Sequence, residues 1–293
     1  MDHCKEVFLN MRKLEHIRTA LMLGLLATGL LSAIPLMTRP SVRAAETAPQ
    51  STTAQARTAF FFQDPQVINT TEHKTLRIAL PRTTAFAANT QAVPVVAAEF
   101  SDVVLEYPIV FVKSPDGTWM ALALTALQTG ENLFVNADGE WQANYIPASV
   151  RRYPFVLAGP QANAVTVAVD MALATTDETG TALFDDTGAP APILQNAIGF
   201  LQSFQGQVAA TDALIGSLDA LGLLTDAQFQ IRDAQGELRT LDGFSIVAEN
   251  RLNALRDDQI LGLFRQGNLA AVQLHLLSLK NIASLQRKDA AVR

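Results

Sequence analysis

Residues 93–157 read VPVVAAEFSDVVLEYPIVFVKSPDGTWMALALTALQTGENLFVNADGEWQANYIPASVRRYPFVL. Val93–Ala97, Leu105–Lys113, Trp119–Leu124, Asn132–Val135 and Gln142–Ile146 are short runs rich in β-branched, aromatic and other apolar residues, the composition of strands. Ser114-Pro-Asp-Gly117 and Asn136-Ala-Asp-Gly139 punctuate them. Both are four-residue turns in which the glycine takes the positive φ that other residues resist. Leu76–Pro81 on one side, and Phe155–Leu157 and Ala164–Ala172 on the other, extend the same pattern. So many short strands at close spacing predict an antiparallel meander or a partly closed barrel.

The period then changes. Ile193, Ala197, Phe200, Leu201 and Phe204 recur at helical spacing, as do Leu214, Leu218 and Leu221 after a break expected at Gly206. Pro192 suits a first helical turn and Gly222 a C-terminal cap. Phe229–Asp233 and Leu238–Val247 predict a returning β-hairpin around Ala234-Gln-Gly236. Two helices, Glu249–Phe264 and Asn268–Arg287, are expected to close the chain, divided by Gly267. Strands followed by helices, without βαβ alternation, predict an α+β fold with a β-rich half over 73–175 and a helical half with one hairpin over 188–288. The two halves are expected to form a single domain over 73–288. A doubly wound nucleotide-binding sheet does not fit this order.

Glu99 follows VPVVAA and Asp170 follows VTVAV, so each interrupts a run that otherwise reads as buried strand. A buried carboxylate must be paired and hydrogen-bonded. Arg151 and Arg152, ahead of Tyr-Pro-Phe, are the basic residues in a comparably apolar context. The expectation is that Glu99, Glu106 or Asp170 pairs with one of them, since the planar guanidinium engages a carboxylate through two parallel bonds. Such a cluster fixes strand register, or it lines a polar pocket in which an arginine grips a carboxylate of a ligand. Both tryptophans and all three tyrosines lie between Tyr107 and Tyr153, and amphipathic aromatics suit recognition surfaces. The candidate ligand-binding residues are Glu99, Glu106, Glu131, Tyr145, Arg151, Arg152, Asp170 and His275, with no catalytic or metal-ligating residue assigned.

This order of features resembles the SapC family, named for a bacterial S-layer-associated gene product: apolar runs joined by Asp-Gly turns, Glu99, Glu106 and Glu131 in or beside them, then Arg151-Arg152. His73-Lys74-Thr75-Leu76-Arg77 is similar to the segment near which many members begin. Gly267, Leu269, Ser278 and Leu279 are similar to the family's closing G-x-L helix with its Ser-Leu pair, which adds weight to His275. The resemblance implies an accessory role in surface-layer, secretion or uptake systems, with an envelope or surface-layer protein or a small peptidic or aromatic ligand as partner. As an alternative it implies an enzyme or delivery factor for such a compound, associated with halogenase and outer-membrane receptor systems.

The beginning of the chain is a departure from that pattern. Ala20–Met37 is almost wholly apolar, Arg12, Lys13 and Arg18 precede it, and Ser41-Val-Arg-Ala44 supplies small or β-branched side chains for a cut after Ala44. Two readings fit residues 1–44: a cleaved signal peptide, or an uncleaved single anchor over 20–37. Either sends the remainder out of the cytoplasm, to the periplasm or beyond. Ala45–Arg57 is poor in large apolar residues, and residues 45–72 are expected to form a flexible linker, with structure starting near Thr75.

Composition removes several classes of function. The net charge of −6 becomes −9 once residues 1–44, with six basic and three acidic side chains, are set aside. That disfavours nucleic acid and anionic membrane surfaces as partners. The single cysteine, Cys4, lies in the leader, so disulfides, thiolate zinc sites and a cysteine nucleophile are not expected in the exported part. Phosphate loops, the G-x-S-x-G elbow and H-E-x-x-H are absent from the sequence, and no cofactor is expected. Asp185-Asp186-Thr-Gly188 begins like a calcium loop but lacks the later glutamate, so a polar turn after Phe184 is expected. His73 is expected to be exposed, and His275 to sit at a helix edge bonded to a backbone carbonyl.

Overall fold

The strands form where β-branched and aromatic residues alternate or run together, and among the described residues they assemble into three antiparallel sheets. The computed structural model describes residues 61–161, 164–232 and 236–292. The expected leader and the linker as far as residue 60 lie outside the described residues. In chain order the elements are β1 (Pro65–Val67), β2 (Arg77–Ile78), β3 (Ala92–Pro94), α1 (Phe100–Val103), β4 (Ile109–Lys113), β5 (Trp119–Leu124), α2 (Ala148–Arg151), β6 (Phe155–Gln161), β7 (Ala164–Asp170), β8 (Ala174–Thr175) and β9 (Thr181–Ala182). Then come α3 (Pro192–Ala220), β10 (Leu224–Arg232), β11 (Leu238–Val247), α4 (Glu249–Asn253), α5 (Asp257–Arg265), α6 (Asn268–Ser278) and α7 (Asn281–Val292). The largest sheet has the order β10-β11-β4-β5-β3, and smaller ones run β1-β7-β6 and β8-β2-β9. The architecture is α+β, with antiparallel sheets ahead of helices.

Ile109, Val110 and Phe111 are all buried. A strand buried at consecutive positions is covered on both faces; α3 packs against β5, and α6 against β4 and β11. The main core joins these strands to Leu214, Ile215 and Leu218 of α3 and Val272 of α6. A second core gathers Ile78, Phe155, Val167, Val169, Leu183 and Phe184 around Leu194 and Leu201, from the first half of α3. One helix therefore serves two cores. Each of its buried leucines contributes about 2 kcal/mol. Between the cores Phe204 packs with Val96 and Ala148.

Several expected elements differ. Structure begins before Thr75: β1 pairs with β7, and Phe61 is buried in the main core. Leu105–Lys113 is strand only from Ile109, because the chain turns through α1 first and leaves Leu105 exposed. Leu76–Pro81 contracts to β2. Asn132–Val135 and Gln142–Ile146 are loops joined by one Val135–Trp141 bridge. Side chains take up their backbone donors: Asn132 Oδ1 accepts from Phe134 N–H, Asn136 Oδ1 from Asp138 and Glu140, and Glu106 from Asn144. Such bonds replace a partner strand.

Helix α3 runs unbroken through Gly206. An exposed glycine costs about 1 kcal/mol in a helix, less than the burial of Phe204, Leu214 and Ile215 on either side supplies. Gly222 follows the helix at φ 65°, the left-handed turn expected of a C-terminal glycine. Four closing helices replace the two expected. Gly267 at φ 75° divides α5 from α6. Arg256, with ψ 156°, separates α4 from α5. Asn281 begins α7 and donates from Nδ2 to the Val104 and Tyr107 carbonyls, tying the end of the chain to the turn before β4. Asp185 forms the expected polar turn, its Oδ1 accepting from Thr187 and Ala189.

Candidate functional site

The site forms where the middle of α3 crosses the segment from Pro94 to Tyr153. After β3 the chain tightens into a single turn over Ala97–Glu99, and the Glu99 carboxylate folds back to accept from Val96 N–H at 3.0 Å. This is the carboxylate half of a capping box. The other oxygen accepts from Tyr145 Oη at 2.7 Å and from Ala148 N–H at 2.6 Å. Glu99, only 4% exposed, thus anchors the starts of two short helices, α1 and α2. Thr211 of α3 binds the same turn, accepting from Ala97 N–H at 2.8 Å and donating to the Gln207 carbonyl.

Glu106 is half-buried and grips the loop before α2, accepting from the backbone of Asn144 at 3.0 Å and of Tyr145 at 3.4 Å, and from Asn144 Nδ2 at 2.8 Å. Tyr107 Oη donates to the Tyr145 carbonyl at 2.6 Å and accepts from Trp141 Nε1 at 2.8 Å. Tyr145 is therefore fixed at its amide, its carbonyl and its hydroxyl. Its phenol is pushed up to about 12, by burial first and then by the hydrogen bond to Glu99. It stays protonated and donates to the carboxylate.

The expected carboxylate–guanidinium pairs do not form among the described residues. Arg151 donates from Nε to the Ile146 carbonyl at 2.9 Å and from Nη2 to Tyr145 Oη at 3.4 Å. Tyr145 stands between Glu99 and Arg151 as a bridge. The Arg151 guanidinium also lies over the rings of Tyr145 and Phe200, 5.7 and 5.5 Å from their centroids. Arg152 is 5% exposed and lies over the rings of Phe62 and Phe204, at 5.5 and 5.6 Å from their centroids. Its one hydrogen bond among the described residues runs from Nε to the Ser149 carbonyl at 3.3 Å. Burial lowers its pKa to about 10, which leaves it charged at neutral pH. The buried acids are satisfied instead by backbone N–H groups and phenols, which cost no second desolvated charge.

Asp170 illustrates this apart from the others. Fully buried at the end of β7, it accepts from the N–H groups of Gln63, Asp64 and Ala172 and from Tyr153 Oη at 3.0 Å. Burial alone would raise its carboxyl; the four donors outweigh that and hold it below the usual range. Tyr153 in turn stacks on Phe86 at 4.1 Å. Glu131 lies half-buried after the Gly130 turn and lines neither cavity described below.

His275 is not at a helix edge. It is fully buried and packs on Phe111 at 4.7 Å. Its Nε2 accepts from Val247 N–H at 3.0 Å, the reverse of the expected bond to a carbonyl. Burial pushes it down to about 4. Ser278, one turn on, accepts from Ile109 N–H at 2.9 Å and donates to the His275 carbonyl. The two side chains join α6 to β11 and β4 and are remote from the arginines in role. His73 is half-buried rather than exposed, its Nδ1 accepting from Asn69 N–H at 3.3 Å.

Two cavities flank Phe204. One, of about 170 Å³, is lined by Glu99, Tyr145, Arg151, Phe200, Ser203 and Gln207 among others. The second, of about 110 Å³, is lined by Val95, Val96, Met120, Arg152, Val208 and Asp212 among others. Consecutive arginines thus each line one of two adjacent chambers. Phe62, Phe200, Phe204 and Gln207 were not among the candidates read from sequence. Phe200 and Phe204 carry a helical spacing that marks core equally well, and nothing local marks the other two.

The SapC family model matches residues 68–285. The chain belongs to the SapC family. The match includes α3, both arginines and the Gly267–Leu279 helix of this SapC-family chain. No curated protein sequence and no solved structure matches it. Among the described residues no helix is long and apolar enough to cross a membrane, and no group of three or more His, Cys, Asp or Glu side chains could hold a metal ion.

Proposed function

We propose that this SapC-family chain is an exported, non-catalytic binding protein of the bacterial cell envelope, accessory to surface-layer, secretion or uptake systems. The observation that carries the binding role is the pair of consecutive guanidiniums lining cavities beside α3, neither paired with a carboxylate among the described residues. Glu99 and Asp170 are taken up by their own chain, so the cations are the groups left for a partner. Among the described residues neither cavity is lined by histidine or cysteine, and the Tyr145 phenol holds its proton, which favours binding over proton-transfer chemistry. Export rests on the basic, apolar and V-x-A features of residues 1–44. The rings of Tyr145, Phe200 and Phe204 favour one variant of this role, the delivery of a small aromatic or peptidic compound.

Capture from an envelope extract tests the reading. The wild-type chain is expected to retain a partner that the Arg151→Gln/Arg152→Gln variant releases. Equal retention by both would remove the arginines from the role. A fusion of residues 1–60 to a reporter active only outside the cytoplasm is expected to be active; an inactive fusion would refute export.

A further inference from the structure

We infer that the chamber beside Arg152 is a binding site for a small organic monocarboxylate with a compact apolar body. The inference rests on the binding role proposed above and names its ligand class.

A guanidinium removed from water is costly unless its donors are satisfied. Arg152 is buried, and only its Nε–H has an acceptor among the described residues. The guanidinium lies over the rings of Phe62 and Phe204, neither of which supplies an oxygen acceptor, so the Nη groups are left for one. A planar carboxylate fits them through two parallel hydrogen bonds.

The rest of the wall sets the ligand's body. Pro94, Val95, Val96, Met120, Ala121 and Val208 are apolar and reward a hydrocarbon surface. Among the described residues Arg152 is the single cation of this lining and Asp212 shares the wall, so a second anionic charge on the ligand finds no partner there. Inorganic phosphate, largely doubly charged and strongly hydrated, is disfavoured on both counts. A space of about 110 Å³ holds several waters or one small acid, water occupying about 30 Å³ in the liquid.

Titration calorimetry on the chain as recovered from its producing cells tests this, with benzoate, hexanoate, acetate and inorganic phosphate as probes. Benzoate or hexanoate is expected to bind saturably at one equivalent and more tightly than acetate, with phosphate failing to compete. Arg152→Gln is expected to weaken binding at least about tenfold, the loss of one charge-assisted contact. Val208→Phe fills the chamber while leaving Arg152 in place, and is expected to weaken binding as well; it serves if the arginine variant does not fold. Arg256→Gln, on the exposed start of α5, is the unaffected control. The inference is overturned if no acid saturates the protein by about 10 mM, a limit of very weak affinity. It is also overturned if both chamber variants bind like wild type, or if phosphate binds as well as benzoate. A chain that binds none of the acids yet captures its envelope partner overturns this inference and leaves the envelope reading standing. A chain that binds benzoate but is not exported does the reverse.

Discussion

The Tyr145 hydroxyl donates to Glu99 Oε1 at 2.7 Å while the Arg151 guanidinium approaches the same hydroxyl oxygen from the other side. The phenol separates two charges that would otherwise be expected to meet. It lets the acid organise the backbone at Val96 and Ala148 while the base keeps to the cavity.

Replacing Glu99 tests that organisation. Glu99→Gln puts an amide N–H₂ where only acceptors are wanted, opposite the donors of Val96, Ala148 and Tyr145. It is expected to cost about 2–3 kcal/mol of stability, the penalty of unsatisfied buried donors. Tyr145→Phe is expected to cost about 1 kcal/mol. The double variant should cost less than their sum, because the two groups share a bond. Denaturant titration measures all three; additive losses would mean that the pair is not coupled.

Asp170 predicts an acid limb. Its carboxyl is held below its ordinary value in the folded state, so the stability it contributes is complete above the unfolded value of about 3.9. That contribution is lost as pH falls through the folded value. Asp170→Asn is expected to be less stable at neutral pH by about 2 kcal/mol and to lose less on acidification than wild type. Melting temperature against pH below about 4 reads the difference; parallel profiles would contradict it.

His275 acts in a different window. The folded state holds it neutral down to about 4, whereas the unfolded chain takes the proton near 6.5. Between those values the unfolded state binds more protons. Stability is therefore full above about 6.5, declines as pH falls to about 4, and levels off below. The total is about 3 kcal/mol, the free-energy equivalent of the two limits. His275→Gln, which retains an acceptor for Val247 N–H, is expected to flatten this slope. An unchanged slope would place the titration elsewhere.

Arg152→Met separates scaffold from site. Breaking a buried ion pair costs about 3–5 kcal/mol because an uncompensated charge is left behind, but removing a buried cation with no acid partner among the described residues leaves none. The variant is expected to stay within about 1 kcal/mol of wild type after the lost contacts with Phe62 and Phe204 are counted. A large loss would make Arg152 a structural residue.

Chelator and reductant are expected to leave the melting temperature unchanged, since Cys4 has no second cysteine in the sequence to pair with and no metal cluster occurs among the described residues. A shift with either would reveal a bound ion or a disulfide.

The sequence made the strands at Trp119–Leu124 and Leu238–Val247 legible because local composition and pairing agree there. It also pointed to Glu99 and Asp170 as buried acids, because charge within an apolar run is conspicuous. Their partners were not legible. Backbone N–H groups carry no sequence label, and those of Gln63 and Asp64 come from more than 100 residues away in the chain. The arginines invited pairing with acids because residue types suggest opposite charges. Only the fold reveals that aromatic faces and phenols occupy those positions. The continuity of α3 was hidden for a related reason: Gly206 reads locally as a break, and the two cores that override it are tertiary.

Arg151 and Arg152 stand on one short helical turn, about 100° apart around its axis, with Phe204 as the wall between their chambers. Whatever enters one compartment therefore bears on the same ring that closes the other.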